Sequence, residues 1–126
     1  MNIIIHRGTH QIGGSAIEIS TASTRIILDF GNELSLDEKY IPINLDIDGV
    51  TKGMPDCDGI VISHYHMDHL GQLTSALPEI PLYMGKLSKE VAMIATEHQD
   101  KDLYLRLLGA NTFRGGEAFT IGNIHI

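Results

Sequence analysis

The most informative segment of the sequence is Ser63-His64-Tyr65-His66-Met67-Asp68-His69-Leu70-Gly71. It places three histidines and one aspartate within six residues, directly after the apolar run of residues 59–62. A short apolar run bounded by polar residues is typical of a buried strand, so the cluster lies where that strand ends. Alternate side chains of an extended strand point in one direction. We therefore expect His64 and His66 to converge on one point, and Asp68 and His69 on a second point nearby.

The residue types of this cluster predict a metal site. Imidazole nitrogens and a carboxylate are the ligands that zinc and similar divalent cations take in proteins. Four ligands divided two and two are expected of half a dinuclear centre, in which paired cations hold a hydroxide between them. The alternative is a histidine-rich surface loop that binds no metal.

Length and composition predict one globular domain. The chain has 126 residues, of which 43% are hydrophobic and 20% are charged, enough for a single core. Its apolar runs are shorter than the roughly 18 residues that cross a bilayer, and the N-terminal apolar patch is too short for a signal peptide. With a single cysteine, Cys57, no internal disulfide forms. We expect a cytoplasmic location, no membrane contact and a packed Cys57 thiol.

The net charge argues against binding of nucleic acid by electrostatic attraction alone. The formal charge is −7, and the nine Lys and Arg residues are dispersed, whereas a chain that holds a polyanion usually has a basic patch. A mild basic cluster comprises Lys86, Lys89, Lys101, Arg106 and Arg114. Bound divalent cations would offset part of the acidity locally.

The order of predicted elements indicates a mixed α/β fold with helices packed on a sheet. Strands are predicted at residues 2–5, 16–20 and 25–28, the last two joined by a turn at 21–24. Residues 32–58 are irregular, and the segment Tyr40-Ile41-Pro42-Ile43 is expected to pack against the domain. The other histidines (His6, His10, His98 and His125) lack the strand-end context and are not expected to be ligands.

The chain beyond the cluster alternates between helical and strand patterns. Leu70, Leu73 and Leu77 have helical spacing and predict a short helix ending at Pro78. A strand over 81–84 is followed by a helix with Ser88 as its N-cap. The helical pattern breaks near residues 98–100 and resumes up to Gly109. Strands are predicted at 111–113 and 118–121, and a third begins at residue 124 after a two-residue turn.

The pattern His64-x-His66-x-Asp68-His69 after a hydrophobic strand resembles the signature of the metallo-β-lactamase fold superfamily. Two further segments, Ile12-Gly13-Gly14 and Leu28-Asp29-Phe30-Gly31, make the chain most similar to ribonuclease J and related RNA-processing enzymes. The resemblance implies the N-terminal half of an αββα sandwich. Residues 1–126 would form a partial domain that is truncated at its C-terminal end.

The resemblance also implies roles for individual residues. His64 and His66 would bind the first cation, and Asp68 and His69 the second. Asp29 would steady the cluster without binding a cation itself. A complete site would hold two Zn²⁺ ions, with Mn²⁺ as a substitute, and would hydrolyse its substrate with a hydroxide shared by the cations. Asp68 would also accept the proton of that hydroxide.

The family completes its site with a later histidine, a bridging aspartate and a final histidine, which this sequence does not contain. We therefore expect weak metal affinity, little or no catalysis by this fragment alone, and self-association through apolar faces. The leading hypothesis is an RNA-cleaving phosphodiesterase. One alternative is a hydrolase of small thioesters or lactones from the same superfamily, and another is a metal-binding or interaction module without activity.

Overall fold

The computed structural model describes residues 1–35 and 43–126. Within these residues six strands form one sheet in sequence order: β1 (Asn2–Arg7), β2 (Ala16–Ser20), β3 (Arg25–Leu28), β4 (Gly59–Ile62), β5 (Leu82–Gly85) and β6 (Asn111–Phe113). The first three strands are antiparallel, and β3 to β6 are parallel. The expected mixed α/β fold is confirmed. Tyr40, Ile41 and Pro42, which were predicted to pack against the domain, lie outside the described residues.

Three helices and a hairpin complete the described fold. The helices are α1 (Met67–Leu70), α2 (Lys86–Thr96) and α3 (Lys101–Leu108), and a 3₁₀ turn spans Leu73–Ser75. The strands β7 (Thr120–Ile121) and β8 (Ile124–His125) pair with each other around the predicted turn. No helix among the described residues is long and apolar enough to cross a membrane.

Strand β4 lies in the middle of the sheet, and all four of its residues are buried. Ile60 and Ile62 belong to the main core, which the helices cover with Leu70, Leu103 and Leu107. Val61 points to the opposite face, where it joins a smaller cluster with Ile26 and Ile121 of the hairpin. A strand covered on both faces has a continuous apolar sequence, and this explains why the run before the histidine cluster predicted it correctly.

The helix predicted from Leu70, Leu73 and Leu77 is wrong as a single element. Leu70 and Leu73 are fully buried, so the spacing correctly predicted that these side chains face the core. The backbone, however, forms the four-residue α1 and then a separate 3₁₀ turn. The carbonyls of residues 67–69 accept hydrogen bonds from Asn32, Ser15 and Phe30 of two neighbouring loops. These long-range bonds replace most of those that a continuous helix would make.

The start of α2 also differs from the prediction. The helix begins at Lys86 with Gly85 as its N-cap, because β5 leads into it without a loop, and Ser88 therefore lies inside the first turn. The predicted break near residues 98–100 is present. There the Asp100 side chain caps α3 by accepting a hydrogen bond from the Leu103 backbone nitrogen at 3.0 Å.

Strand β1 leaves apolar side chains uncovered. Ile3 and Ile5 are 55% and 52% exposed, although they pair with the partly buried Ile19 and Ile17 of β2. An apolar edge strand can pair with another chain. Self-association therefore stays a prediction, which the concentration dependence of the sedimentation coefficient would test.

Candidate metal centre

The histidine cluster lies at the carboxyl end of β4, where the parallel strands of the sheet end. Asp29 follows β3, and the backbone of Asp29 donates a hydrogen bond to the Val61 carbonyl at 2.9 Å. Its φ is +57°, the left-handed region that aspartate tolerates better than most residues. The chain therefore turns sharply after β3, and the buried Asp29 side chain points at the segment that carries the histidines.

Three predicted ligands form one group. The ligand atoms of His64, Asp68 and His69 all lie within 4.8 Å of one another. His66 adjoins this group, because its Nδ1 is 3.1 Å from His64 Nε2. The structure thus brings all four side chains together. Whether they bind two cations in the predicted division stays a prediction.

Asp29 orients His69. The Nδ1 of His69 donates a hydrogen bond to Asp29 Oδ2 over 2.7 Å, which leaves Nε2 as the nitrogen with a free lone pair. That Nε2 lies 3.4 Å from Asp68 Oδ2. A lone pair and a carboxylate oxygen repel each other at this distance unless a cation or a proton lies between them, so the pair fits a metal ion.

Ser63 links Asp29 to His64 and orients the His64 ring. Its hydroxyl donates to Asp29 Oδ2 at 3.0 Å, and the backbone N–H of Ser63 donates to Asp29 Oδ1 at 2.8 Å. The Ser63 oxygen lies 3.0 Å from His64 Nδ1. Because the Ser63 hydroxyl gives its own proton to Asp29, its oxygen accepts a hydrogen bond from His64 Nδ1. His64 Nε2 then keeps a free lone pair that can bind a metal ion. One carboxylate thereby selects the tautomer of two histidines.

The spacing of the free atoms suits zinc. Two nitrogen ligands at about 2.1 Å from one zinc ion are about 3.4 Å apart at the tetrahedral angle. The 3.1 Å between His64 Nε2 and His66 Nδ1 is close to this value. The donor set therefore fits the cation that the sequence predicts.

Two glycines allow the loops to hold the cluster. A Cβ on Gly31 would lie 1.7 Å from the Asp68 carbonyl oxygen, and one on Gly13 would lie 2.9 Å from Asp68 Cβ. The Asp68 carbonyl in turn accepts a hydrogen bond from the Ser15 backbone at 3.1 Å. The supporting roles of Ser63 and Gly31 are not predicted from the sequence. Their positions beside the cluster and beside Asp29 are the signals that point to them.

The remaining histidines lie in other environments. His6 Nε2 contacts the buried Glu18 at 2.9 Å, and Arg25 donates to the same carboxylate oxygen. Burial alone would raise the pKa of Glu18, but the hydrogen bonds from Arg25 and His6 outweigh burial and lower it. Among the described residues, neither His6 nor the exposed His10, His98 and His125 joins the metal-ligating group.

Cys57 is a packed thiol. It contacts the main core, its Sγ donates to the Gly59 carbonyl at 3.4 Å, and burial raises its pKa. A raised pKa keeps the thiol protonated and disfavours a role as nucleophile or metal ligand.

Replacing Asp29 by asparagine is expected to weaken zinc binding by about 10- to 100-fold, as is typical when an outer hydrogen-bond partner of a ligand is lost. Asparagine tolerates the left-handed backbone and keeps an oxygen for the Ser63 backbone, but its NH₂ group cannot accept from His69. Isothermal titration with zinc measures the change. Asp56→Asn, whose side chain is 86% exposed, is the control. Equal affinity in Asp29→Asn and the wild type would contradict the orienting role.

The fold and the site define a class of proteins in which histidine and aspartate side chains gather at the end of a buried strand. Known proteins that are similar to this chain support the assignment to that class. No family model matches the chain. It is 32% identical over 97 residues to a protein named Probable RNase MJ4 from Methanocaldococcus jannaschii, and 37% identical over 110 residues to RNase aCSPSF2 from Saccharolobus solfataricus. These alignments cover 75% and 82% of this chain.

The chain spans about a fifth of the length of these curated relatives, 21% and 19% respectively. A crystal structure of a protein of unknown function from Enterococcus faecalis matches 98% of this chain and 36% of its own, with a TM-score of 0.78 and 20% identity. At that identity the match shows a shared fold only. Together, the relatives named as RNases support the resemblance to the metallo-β-lactamase superfamily.

Proposed function

We propose that the chain carries the first ligand cluster of a dinuclear metal-dependent hydrolase that acts on RNA. The observation that supports this most strongly is the convergence of His64, Asp68 and His69, with ligand atoms within 4.8 Å, at the carboxyl end of a buried strand. The relatives named as RNases support RNA as the substrate class. They also support membership of the metallo-β-lactamase superfamily.

The residues of the chain have separate tasks in this proposal. His64 and His66 would hold one Zn²⁺ or Mn²⁺ ion, and Asp68 and His69 the other. When bound, the cations supply positive charge that activates water and neutralises the phosphodiester. Asp29 and Ser63 keep the imidazoles in the tautomers that leave Nε2 free. Asp68, which is partly exposed, would accept a proton from the attacking water.

The charges of the chain agree with a substrate held mainly at such a centre. Two members of the basic cluster are engaged in structural contacts. Lys89 donates to the carbonyls of Leu108 and Ala110 at 2.9 and 2.8 Å. Arg106 donates to three carbonyls between residues 77 and 80. With both side chains held against backbone carbonyls, the cluster offers fewer groups that can contact a polyanion directly. Bound metal ions would offset part of the net charge of −7.

Two measurements test the proposal. The metal-free chain is titrated with zinc and with manganese, and bound metal is quantified by elemental analysis. The full-length protein is then assayed in parallel with single-stranded RNA and with a thioester, with and without a chelator. We expect metal uptake and RNA cleavage that the chelator abolishes. Metal at background level would contradict the ligand assignment, and thioester turnover without RNA cleavage would favour the small-molecule alternative.

A further inference from the structure

A cavity of about 300 Å³ opens beside the histidine cluster, between the segment that carries the ligands and the end of α2. Tyr65, Met67 and Leu70 form one wall, and Ala92 and Ala95 form the other. Tyr65 and Met67 are 41% and 42% exposed. The cavity is therefore apolar inside and has a large aromatic ring at its mouth.

The cavity and the candidate metal centre share His66. Its ring lines the cavity, while its Nδ1 faces His64 Nε2 at 3.1 Å. Tyr65 contacts the same ring edge to face, with centroids 4.6 Å apart. A group bound in the cavity would thus lie next to the bond that the centre cleaves.

The polar atoms at the rim determine what the cavity accepts. Asp100 Oδ1 caps α3 by accepting from the Leu103 backbone, and among the described residues Oδ2 accepts no hydrogen bond. This carboxylate repels a phosphate but can accept a hydrogen bond from an amino group. Gln99 lines the same rim and offers an amide donor and an acceptor. The cavity is therefore suited to a flat, uncharged ring that carries an amino group.

We propose that this cavity binds one nucleobase of the RNA strand, adjacent to the scissile phosphodiester, and prefers a base with an exocyclic amino group (adenine, cytosine or guanine) to uracil. The inference rests on the proposed function, because the base reaches the cavity from a strand held at the metal centre. Tyr65 supplies an aromatic contact for the base. Asp100 accepts a hydrogen bond from the exocyclic amino group.

The test uses mononucleotides and the zinc-loaded chain. Binding of AMP, UMP and ribose 5-phosphate is followed by NMR, through the methyl signals of Ala92 and Ala95. Contact between a base and an aromatic side chain is worth about 5- to 140-fold in affinity, so AMP is expected to bind more tightly than ribose 5-phosphate by that factor. UMP should lie between them.

Two variants and one control make the test specific. Ala95→Phe fills the cavity from an exposed helical position and should reduce AMP binding to the level of ribose 5-phosphate, with zinc uptake unchanged. The control, Ile94→Phe, adds the same ring at the neighbouring position, 76% exposed in the wild type and outside the cavity, and should bind AMP normally. Asp100→Asn keeps a capping oxygen for α3 and should remove the preference for AMP over UMP.

The outcomes separate this inference from the proposed function. Equal binding of AMP and ribose 5-phosphate, or normal AMP binding by Ala95→Phe, would overturn the nucleobase site even if zinc uptake and RNA cleavage are both observed. Failure of the proposed function would instead appear as absence of zinc uptake by the wild type. Base-dependent binding that Ala95→Phe abolishes and Ile94→Phe retains supports the inference.

Discussion

Replacement of His64 by alanine is expected to remove most zinc uptake and to leave the secondary structure intact. His64 Nε2 lies 3.1 Å from His66 Nδ1, and the His64 ring packs against that of His69 with centroids 3.9 Å apart. It therefore lies between both halves of the candidate centre. The loss should exceed the about 10- to 100-fold effect of removing an outer partner. Zinc titration measures the affinity, and circular dichroism measures the retained structure.

A comparison of histidine variants makes this result informative. The control, His98→Ala, removes a ring whose side chain is 88% exposed and should bind zinc normally. His66→Ala should be as damaging as His64→Ala if these two residues share one cation. If His66→Ala binds zinc like the wild type, the centre consists only of His64, Asp68 and His69. A collapse of the dichroism signal in every variant would instead mean that the cluster is a structural device.

Replacement of Gly31 by alanine is expected to destabilise the fold by about 3 kcal/mol or more. The added Cβ would lie 1.7 Å from the carbonyl oxygen and 2.0 Å from the carbonyl carbon of Asp68. Backbone atoms cannot rotate away as a flexible side chain can, so the loop after β3 must separate from α1. Overpacking alone costs about 1–3 kcal/mol, and a forced backbone shift belongs at or above the upper end. Urea denaturation monitored by circular dichroism measures the free energy of unfolding.

Gly115→Ala is the matched control, because a Cβ at that position meets no atom within 4 Å. Its effect should lie within about 0.5 kcal/mol of zero, as for most surface substitutions. Gly31→Ala should also weaken zinc binding, since Asp68 and His69 are held by the bonds that break. A Gly31→Ala variant as stable as Gly115→Ala would show that the loop is not pressed against the cluster.

Much of the fold could be predicted because each strand has a recognisable pattern of apolar residues in its own short segment. The continuous apolar run of β4 and the alternation in β2 depend only on neighbouring residues and on which faces are buried. The same holds for the break before α3, which the polar sequence around Asp100 marked. The helix predicted over Leu70, Leu73 and Leu77 failed for the opposite reason. Its backbone carbonyls bond to loops more than 30 residues away in sequence, and no local pattern reports this.

The chemistry of the candidate site follows from a short local segment of the sequence. The identity and spacing of His64, His66, Asp68 and His69 at a strand end specify a set of nitrogen and oxygen donors for divalent cations. The orientation of those donors, in contrast, depends on contacts that form in the folded chain. Asp29 reaches Ser63 and His69 across 34 and 40 positions of the chain, and Gly31 lets its loop close against Asp68. The orientation and tautomer of the histidine rings are set by partners that lie far away in sequence. They therefore depend on how distant segments pack, which no local pattern shows.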